Sequence, residues 1–393
     1  MIRILNFCLF FFLKILIPSK KNYLVFGHRS GRRFGDNSRY MFIYLNQNYK
    51  DKRCIWITKE IKILKLVRSM GYECYLNSSI KGIYFSLISY WHIYDCYEDD
   101  INLDITKLSN NINLWHGTLF KKLIKNKNSI TKNSIFKLSN LFFKKYIVYP
   151  NKIYSKHLLS HYPSKKYKLI ISNSPRNILL KKKVLKKDTK YFTKKEKKIS
   201  DKFSKLNKKI VGYFPTWRFN GMEVFPETLK RDDLKKFNNF LVKNNYLFVI
   251  KKHPNSYKED NHQLYNKDSE KIFKTLEKFR GFYLLDYDID LNSIIKNCDL
   301  LVSDYSGAVF DFLLLERPII FYVPDIKTYK KNPGLHFDLE KLEIGPLVSN
   351  IKGLMNKLSK NNAHVRYKNN IVKFRKKVFK NENCFENIVK IIN

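Results

Sequence analysis

The feature that most restricts this chain is the rhythm of its short apolar runs. Tyr23–Phe26, Arg53–Ile57, Tyr72–Tyr75, Asn111–Trp115, Tyr146–Tyr149 and Lys168–Ile171 read as strands, and Asn37–Asn48, Ile61–Met70 and Ile80–Ser89 between them carry helical spacing. A second block repeats the pattern. Its strands are Lys209–Phe214, Tyr246–Ile250, Gly281–Leu285, Leu300–Ser303 and Pro318–Tyr322, and its helices Asp232–Lys243, Leu291–Lys296 and Ala308–Leu315. Apolar runs without polar alternation suit strands covered on both faces, and strands alternating with helices suit βαβ units. The chain is therefore predicted to be α/β, with two Rossmann-type domains facing across a cleft. Predicted boundaries are 1–20 for an N-terminal segment, 21–185 for the first domain, 186–209 for a Lys-rich linker and surface helix, 210–362 for the second domain and 363–393 for a helical tail. No repeat at solenoid spacing and no GxGxxG occurs, so neither a repeat fold nor a usual dinucleotide site is expected.

Charge and cysteines bound the function classes. Lys and Arg number 76 against 34 Asp and Glu, a net charge of +42. Such a balance suits an anionic partner: nucleic acid, an acidic membrane face or a phosphorylated substrate. The enrichment in Lys, Asn, Ile, Phe and Tyr also fits the codon bias of an AT-rich genome, which makes most of the charge a solvated surface. The basic run Lys181–Lys209 lacks the regular aromatic spacing of a nucleic-acid stripe, and no nucleic-acid partner is expected. Six cysteines stand apart from one another with no CxxC pair or zinc spacing, which fits a reducing compartment. The apolar run Ile4–Ile17 is interrupted by Asn6 and Lys14 and is shorter than a membrane span. It reads as an amphipathic, membrane-associating helix, with Arg3, Lys14, Lys20 and Lys21 near anionic headgroups. The other reading is a helix docked on the fold.

In open α/β sheets ligands bind beyond the carboxyl ends of the strands. Four strand ends carry chemistry. His116-Gly117-Thr118 follows one, with Gly117 permitting a tight turn. Pro215-Thr216-Trp217-Arg218 follows another, where Arg218 can offer a fork to a phosphate and Trp217 can stack on a base or cap the core. Lys251-Lys252-His253-Pro254 follows a third. Asp304-Tyr305-Ser306-Gly307 precedes a helix, whose N-terminal N–H groups suit an anion and are equally served by ordinary capping. No carboxylate cluster suggests a metal and no GxSxG elbow suggests a hydrolase. The set implies transfer between phosphate-bearing molecules, with histidine as acid or base.

These segments carry a family resemblance. Asn113–Thr118 with Lys121-Lys122-Leu123 resembles the NLWHGTPLKKL segment of CDP-glycerol glycerophosphotransferases, the teichoic-acid-type glycerol- and ribitol-phosphate transferases. Gly212–Arg218 is similar to their APTWR segment, Lys252-His253-Pro254 to RxHP, and Asp299–Asp311 to DYLITDYSSxxFD. Gly35–Arg39 resembles GYSDNPR, Pro175–Asn177 resembles GxPRND, and Gly334–Glu340 with Gly345-Pro346 resembles the GxYFDFE…PGP ending. The likeness runs from about Lys21 to Val348, with the motifs in order. It implies a GT-B-like fold, an acceptor-side N-terminal domain and a C-terminal domain that binds a CDP-alditol. It implies His116 and His253 as the catalytic pair, and Gly117, Thr118, Thr216, Arg218, Lys252, Asp304, Ser306 and Gly307 as substrate-binding residues. It requires no metal and no cofactor. The implied partners are CDP-glycerol or CDP-ribitol and a lipid-linked glycan acceptor, at the cytoplasmic membrane face as a peripheral protein. Three departures touch the donor: Leu119-Phe120 replaces Pro-Leu, Gly307 replaces a Ser and Lys251 replaces an Arg. A GT-B glycosyltransferase using a nucleotide sugar shares the fold and is the alternative.

Overall fold

The computed structural model describes residues 2–122, 142–159, 167–180, 190–216, 218, 225, 229–253, 267–359, 363–379 and 383–393. Trp217, Pro254, Leu123 and residues 181–189 of the basic run lie outside them. The chain forms two compact units. The first gathers Met1–Thr118, Lys125–Ile178 and Phe379–Asn393, and the second Leu119–Ile124 and Leu179–Val378.

The first unit is built on seven parallel strands: β1 (Lys20–Phe26), β2 (Arg53–Thr58), β3 (Cys74–Leu76), β4 (Ser89–Tyr94), β5 (Asn110–Asn113), β6 (Lys145–Tyr149) and β7 (Tyr167–Ile171). Their order is β3-β2-β1-β4-β5-β6-β7, so the order reverses between β1 and β4. The register sets Phe26 beside Trp56 on one side and Ile93 on the other. Strand β2 is buried along nearly its whole length, which is why it reads as a continuous apolar run. The Trp56 ring meets Phe34 at 4.7 Å and Phe42 at 5.5 Å, both edge-on. Each such pair contributes about 1 kcal/mol beyond its buried area.

Strand β4 is absent from the sequence reading, which ended a helix at Ser89. Its sequence SYWHIY follows α4 (Ile80–Ile88) with no turn residue between them. His92 disguises it further. The ring is fully buried, with Nδ1 3.0 Å from Thr106 Oγ1 and Nε2 2.9 Å from Ser86 O. Burial holds it neutral, well below the usual histidine range.

The N-terminal helix α1 (Ile2–Leu16) docks on the first unit, which corrects the placement of Lys14 at lipid headgroups. Phe7 is buried, and Lys14 Nζ donates to Leu87 O and, at 3.2 Å, to Ser89 O. These carbonyls end α4, so the ammonium caps that helix. Burial brings Lys14 down to about 8. Among the described residues no helix is long and apolar enough to cross a membrane.

The second unit has six parallel strands: β8 (Lys209–Tyr213), β9 (Tyr246–Ile250), β10 (Phe282–Leu284), β11 (Leu300–Ser303), β12 (Ile319–Tyr322) and β13 (Leu347–Val348). Their order is β10-β9-β8-β11-β12-β13, again reversing beside the first strand of the unit. Phe225, Phe237 and Phe248 interlock in its core, with Tyr213 against two of them.

Two segments differ from the predicted organisation. The stretch expected to be linker belongs to the second unit. The Lys194–Ser204 helix opens with a capping box between Thr193 and Glu196 and buries Ile199 and Phe203, while Tyr191 and Phe192 are buried just before it. Its lysines face solvent, and the apolar residues at i and i+4 provide the anchoring face. The expected single tail is two helices in different units. Ala363–Val378 lies in the second, and Glu386–Ile392 packs in the first, where Asn387 Nδ2 donates to Ile171 O at 2.7 Å.

Candidate functional site

The reversal of strand order in the first unit opens the loops after β1, β4 and β5 at one place on the carboxyl edge of the sheet. His116 stands on the loop after β5. Asn113, at the end of that strand, folds the chain back: its Oδ1 accepts from the Trp115 N–H at 2.9 Å, and its Nδ2 donates to Cys96 O at 3.0 Å. Trp115 takes φ 53° and Gly117 φ 128°. A Cβ on Gly117 would stand 2.6 Å from Arg176 Nη2, so glycine is what lets the guanidinium in. Arg176 Nη1 donates to His116 O at 2.9 Å and to Asp36 Oδ1 at 2.6 Å. Asn37 closes the ring, accepting from the Arg176 N–H at 3.1 Å and donating to Trp115 O. Three motif segments far apart in sequence, Gly35–Arg39, Asn113–Thr118 and Pro175–Asn177, thus meet around His116.

The electrostatics there are uneven. Burial pushes the Asp36 carboxyl up, but the Arg176 guanidinium outweighs it and brings Asp36 down to about 2. Asp95 goes the other way. Burial, with Asp36 and Asp100 beside it, lifts its carboxyl well above the usual range. Asp95 Oδ2 lies 2.8 Å from His28 Nδ1 and Oδ1 accepts from the Ser38 N–H at 3.0 Å. Burial lifts Asp100 to about 6. The His116 ring itself is exposed, 4.2 Å from the Trp115 ring, with Nδ1 3.1 Å from Cys96 Sγ. Thr118 is buried.

His116, Gly117 and Thr118 are the site residues expected here; Asp36, Asn37 and Arg176 lie in the motif segments without an expected role, and His28, Asp95 and Cys96 are not among the expected site residues. The strand-end rule finds all three once β1 and β4 are included: His28 follows β1 by two residues, and Asp95 and Cys96 follow β4 directly.

In the second unit the reversal lies between β8 and β11, and Thr216, Arg218 and Asp304–Gly307 follow those strands. Arg218 was expected to offer its fork to a phosphate. The fork is already filled. Nη1 donates to Asp304 Oδ2 at 2.8 Å, and Nε donates to Asp325 Oδ2 at 2.9 Å. The Tyr305 and Tyr329 rings, stacked 3.8 Å apart, lie 5.2 and 4.9 Å from the guanidinium carbon. Burial opposes the charge, and the two aspartates overcome it, so the guanidinium is held more firmly protonated than usual. Asp304, expected at the substrate, also accepts from the Thr216 N–H with both oxygens, at 2.9 and 3.1 Å. Arg218 and Asp304 therefore fasten the β8 and β11 loops together.

The Thr216 hydroxyl is buried and has no hydrogen-bond partner among the described residues. His253 and Lys252 are half-buried beyond β9, and Lys252 Nζ lies 4.6 Å from the Phe273 ring centre. Lys251 is taken up by the backbone, donating to Asp286 O and, at 3.0 Å, to Tyr287 O. The expected helix-end nest is smaller than foreseen. The helix Ala308–Leu313 has six residues, Ser306 Oγ accepts from the Ala308 N–H at 3.3 Å, and Ser306 O accepts from the Val309 N–H at 3.2 Å. Lys121 adds a cation: its segment pairs with Leu335, and burial lowers its ammonium while Asp304 opposes that. Among the described residues no three His, Cys, Asp or Glu side chains are grouped to hold a metal ion.

Comparison with known proteins places this arrangement. The chain is 31% identical over 367 residues to a teichoic acid poly(glycerol phosphate) polymerase of Bacillus spizizenii, covering 88% of this chain and 85% of that protein. It is 28% identical over 357 residues to a polymerase of the same name from Bacillus subtilis, but spans only 43% of that protein's length. A solved structure of the wall teichoic acid polymerase TagF, soaked with CDPG, superposes with a TM-score of 0.70 at 20% identity, covering 95% of this chain and 88% of that one. That likeness shows a shared GT-B-like α/β fold. The family model described as CDP-glycerol:poly(glycerophosphate) glycerophosphotransferase matches residues 9–393, nearly the whole chain. The protein is thus an enzyme of the CDP-glycerol:poly(glycerophosphate) glycerophosphotransferase family.

Proposed function

We propose that the protein transfers glycerol phosphate from CDP-glycerol to a hydroxyl of a lipid-linked or polymer acceptor in teichoic acid synthesis, releasing CMP. The observation that carries this reading is His116, exposed on a glycine-dependent turn at the place where the first sheet reverses its order, in a chain that belongs to this family. The acceptor oxygen attacks the β-phosphorus, the P–O bond to CMP breaks, and the His116 imidazole accepts the hydroxyl proton. Gly117 and Thr118 form the backbone beside the reacting hydroxyl. His253 and Lys252 neutralise the pyrophosphate as charge moves onto CMP, and the Thr216 hydroxyl, Ser306 and the Gly307 backbone contact the donor. Arg218 and Asp304 act one step back, by holding the loops that carry Thr216 and Ser306. No step draws on a metal or cofactor.

The reaction is proposed to run at the cytoplasmic membrane face. Leu9, Phe12, Ile15 and Leu16 are exposed on α1 while Phe7 and Lys14 hold its other side to the fold. Such a half-anchored apolar row suits peripheral contact with an anionic bilayer that bears the acceptor.

CMP release from CDP-glycerol and from CDP-ribitol, with a lipid-linked acceptor, tests the reading. CDP-glycerol turnover is expected, reduced about 100-fold or more in His116→Ala. Turnover of a nucleotide sugar with none of either CDP-alditol would overturn the donor assignment. Full activity in His116→Ala would overturn the role of the base.

A further inference from the structure

We infer that Cys96 is a positioning residue for His116: its sulfur accepts the Nδ1–H and thereby leaves the base lone pair on Nε2. The inference rests on the reading of His116 as the base and deepens it.

The geometry is built from both sides. Cys96 Sγ lies 3.1 Å from His116 Nδ1. The Cys96 N–H donates to Asp100 Oδ2 at 2.9 Å, and its carbonyl accepts from Asn113 Nδ2 at 3.0 Å. The same Asn113 fixes Trp115 through its Oδ1, and Trp115 packs on the imidazole. Arg176 pins the His116 carbonyl from the far side. Thiol and imidazole are therefore held in register by one asparagine, and a slide of one against the other breaks two hydrogen bonds.

A neutral imidazole carries its proton on one nitrogen and offers a lone pair on the other. A thiol can donate to or accept from Nδ1. A thiolate beside the ring would draw a proton and make an imidazolium, which cannot act as a base. The charges around the pair forbid that. Burial, then Asp100, Asp95 and Asp36, lift the Cys96 thiol well above its usual range, and Arg29 opposes them. His28, Arg176 and Asp99 are further charged groups beside these carboxylates. The sulfur stays protonated and neutral, a weak acceptor that directs the Nδ1–H without abstracting it. The acceptor hydroxyl then gives its proton to Nε2, and the charge left on the ring is favoured by the nearby Asp36 carboxylate.

The test uses the full chain. In the wild-type protein, 15N NMR of His116 reads the tautomer directly, and the Nδ1–H form is expected at neutral pH. Cys96→Ala is expected to lower kcat about ten-fold, as loss of an orienting hydrogen bond on a functional histidine does, with KM for CDP-glycerol unchanged. Its acidic limb in the kcat/KM pH profile moves to lower pH, because the imidazolium has lost an acceptor. Cys96→Ser, whose hydroxyl accepts better than sulfur, is expected to restore kcat and move that limb upward. An Nε2–H tautomer in the wild type, or Cys96→Ala with wild-type kcat and pH profile, overturns the inference. Because His116→Ala is assayed beside them, loss of activity there with no effect at Cys96 separates this failure from failure of the base assignment.

Discussion

Arg218 illustrates how far a residue's type is from its role. Its identity and place after β8 suggest a phosphate fork, but most of its donors are engaged by Asp304, Asp325 and the Thr216 carbonyl. The sequence could not show this, because Asp325 follows a different strand and pairs through tertiary structure alone. Arg218→Gln is expected to leave two buried or half-buried carboxylates uncompensated and to destabilise the protein by about 3 kcal/mol, read by urea unfolding. If Arg218 held the donor instead, the variant would unfold like wild type and show only a raised KM. His116 differs: its place at a strand end, its neighbour and its motif single it out as a candidate, and the Gly117 turn holds its backbone. Its surrounding partners were not legible, since Asp36, Arg176 and Cys96 come from three other segments.

Elements were legible in proportion to how cleanly their ends are marked. Most strands bounded by Gly, Pro or charged residues are readable within a residue or two; β1 begins three residues before the apolar run, at Lys20, and the two-residue β13 after Pro346 leaves no run to read. β4 is not readable either, because a helix runs straight into it and a buried histidine breaks its apolar run. The omission mattered, for β4 is the strand beside the reversal, and Asp95 and Cys96 follow it directly. Helix α1 shows a different limit. Its composition fits a lipid surface and a protein surface equally well, and only the contact of Lys14 with the end of α4 decides that one side is docked. That contact has a pH signature. Lys14 is brought down to about 8 in the fold from 10.5, so between these values the unfolded chain binds the additional proton. Stability therefore rises as pH rises through this window, and the cost of burying the charge is fully present below it. Lys14→Met is expected to remove this dependence: its thermal midpoint should not share the relative gain of wild type between pH 8 and 10. Parallel profiles would show that Lys14 is solvated.

At the scale of the molecule, the +42 charge sorts into unequal parts. The exposed lysines of the Lys194–Ser204 helix, including Lys194, Lys197 and Lys198, lie on the face away from its buried residues and serve solubility. Away from that helix, Arg176 of the first unit is buried and Lys121 and Lys252 of the second are half-buried. The last stretch of chain matters more than its position suggests. Phe385 stacks on Tyr44 at 3.9 Å, Ile388, Val389 and Ile392 are buried, and the Asn173 N–H donates to Asn383 O at 2.9 Å. Deleting residues 383–393 is expected to lower stability by several kcal/mol, given about 2 kcal/mol for each large apolar side chain exposed. Circular dichroism melting of the shortened chain checks this, and an unchanged midpoint would mark the segment as dispensable.

The return of residues 379–393 to the first unit also has a consequence for synthesis. A ribosome delivers the strands of that unit first, yet the segment that completes them emerges behind the entire second sheet. The half of the enzyme that is made first is thus the half that matures last. For the time it takes to translate some two hundred intervening residues, β7 and the Tyr44 face wait uncovered, and a chain cut short before residue 383 keeps its second unit whole and leaves the unit that carries His116 incomplete.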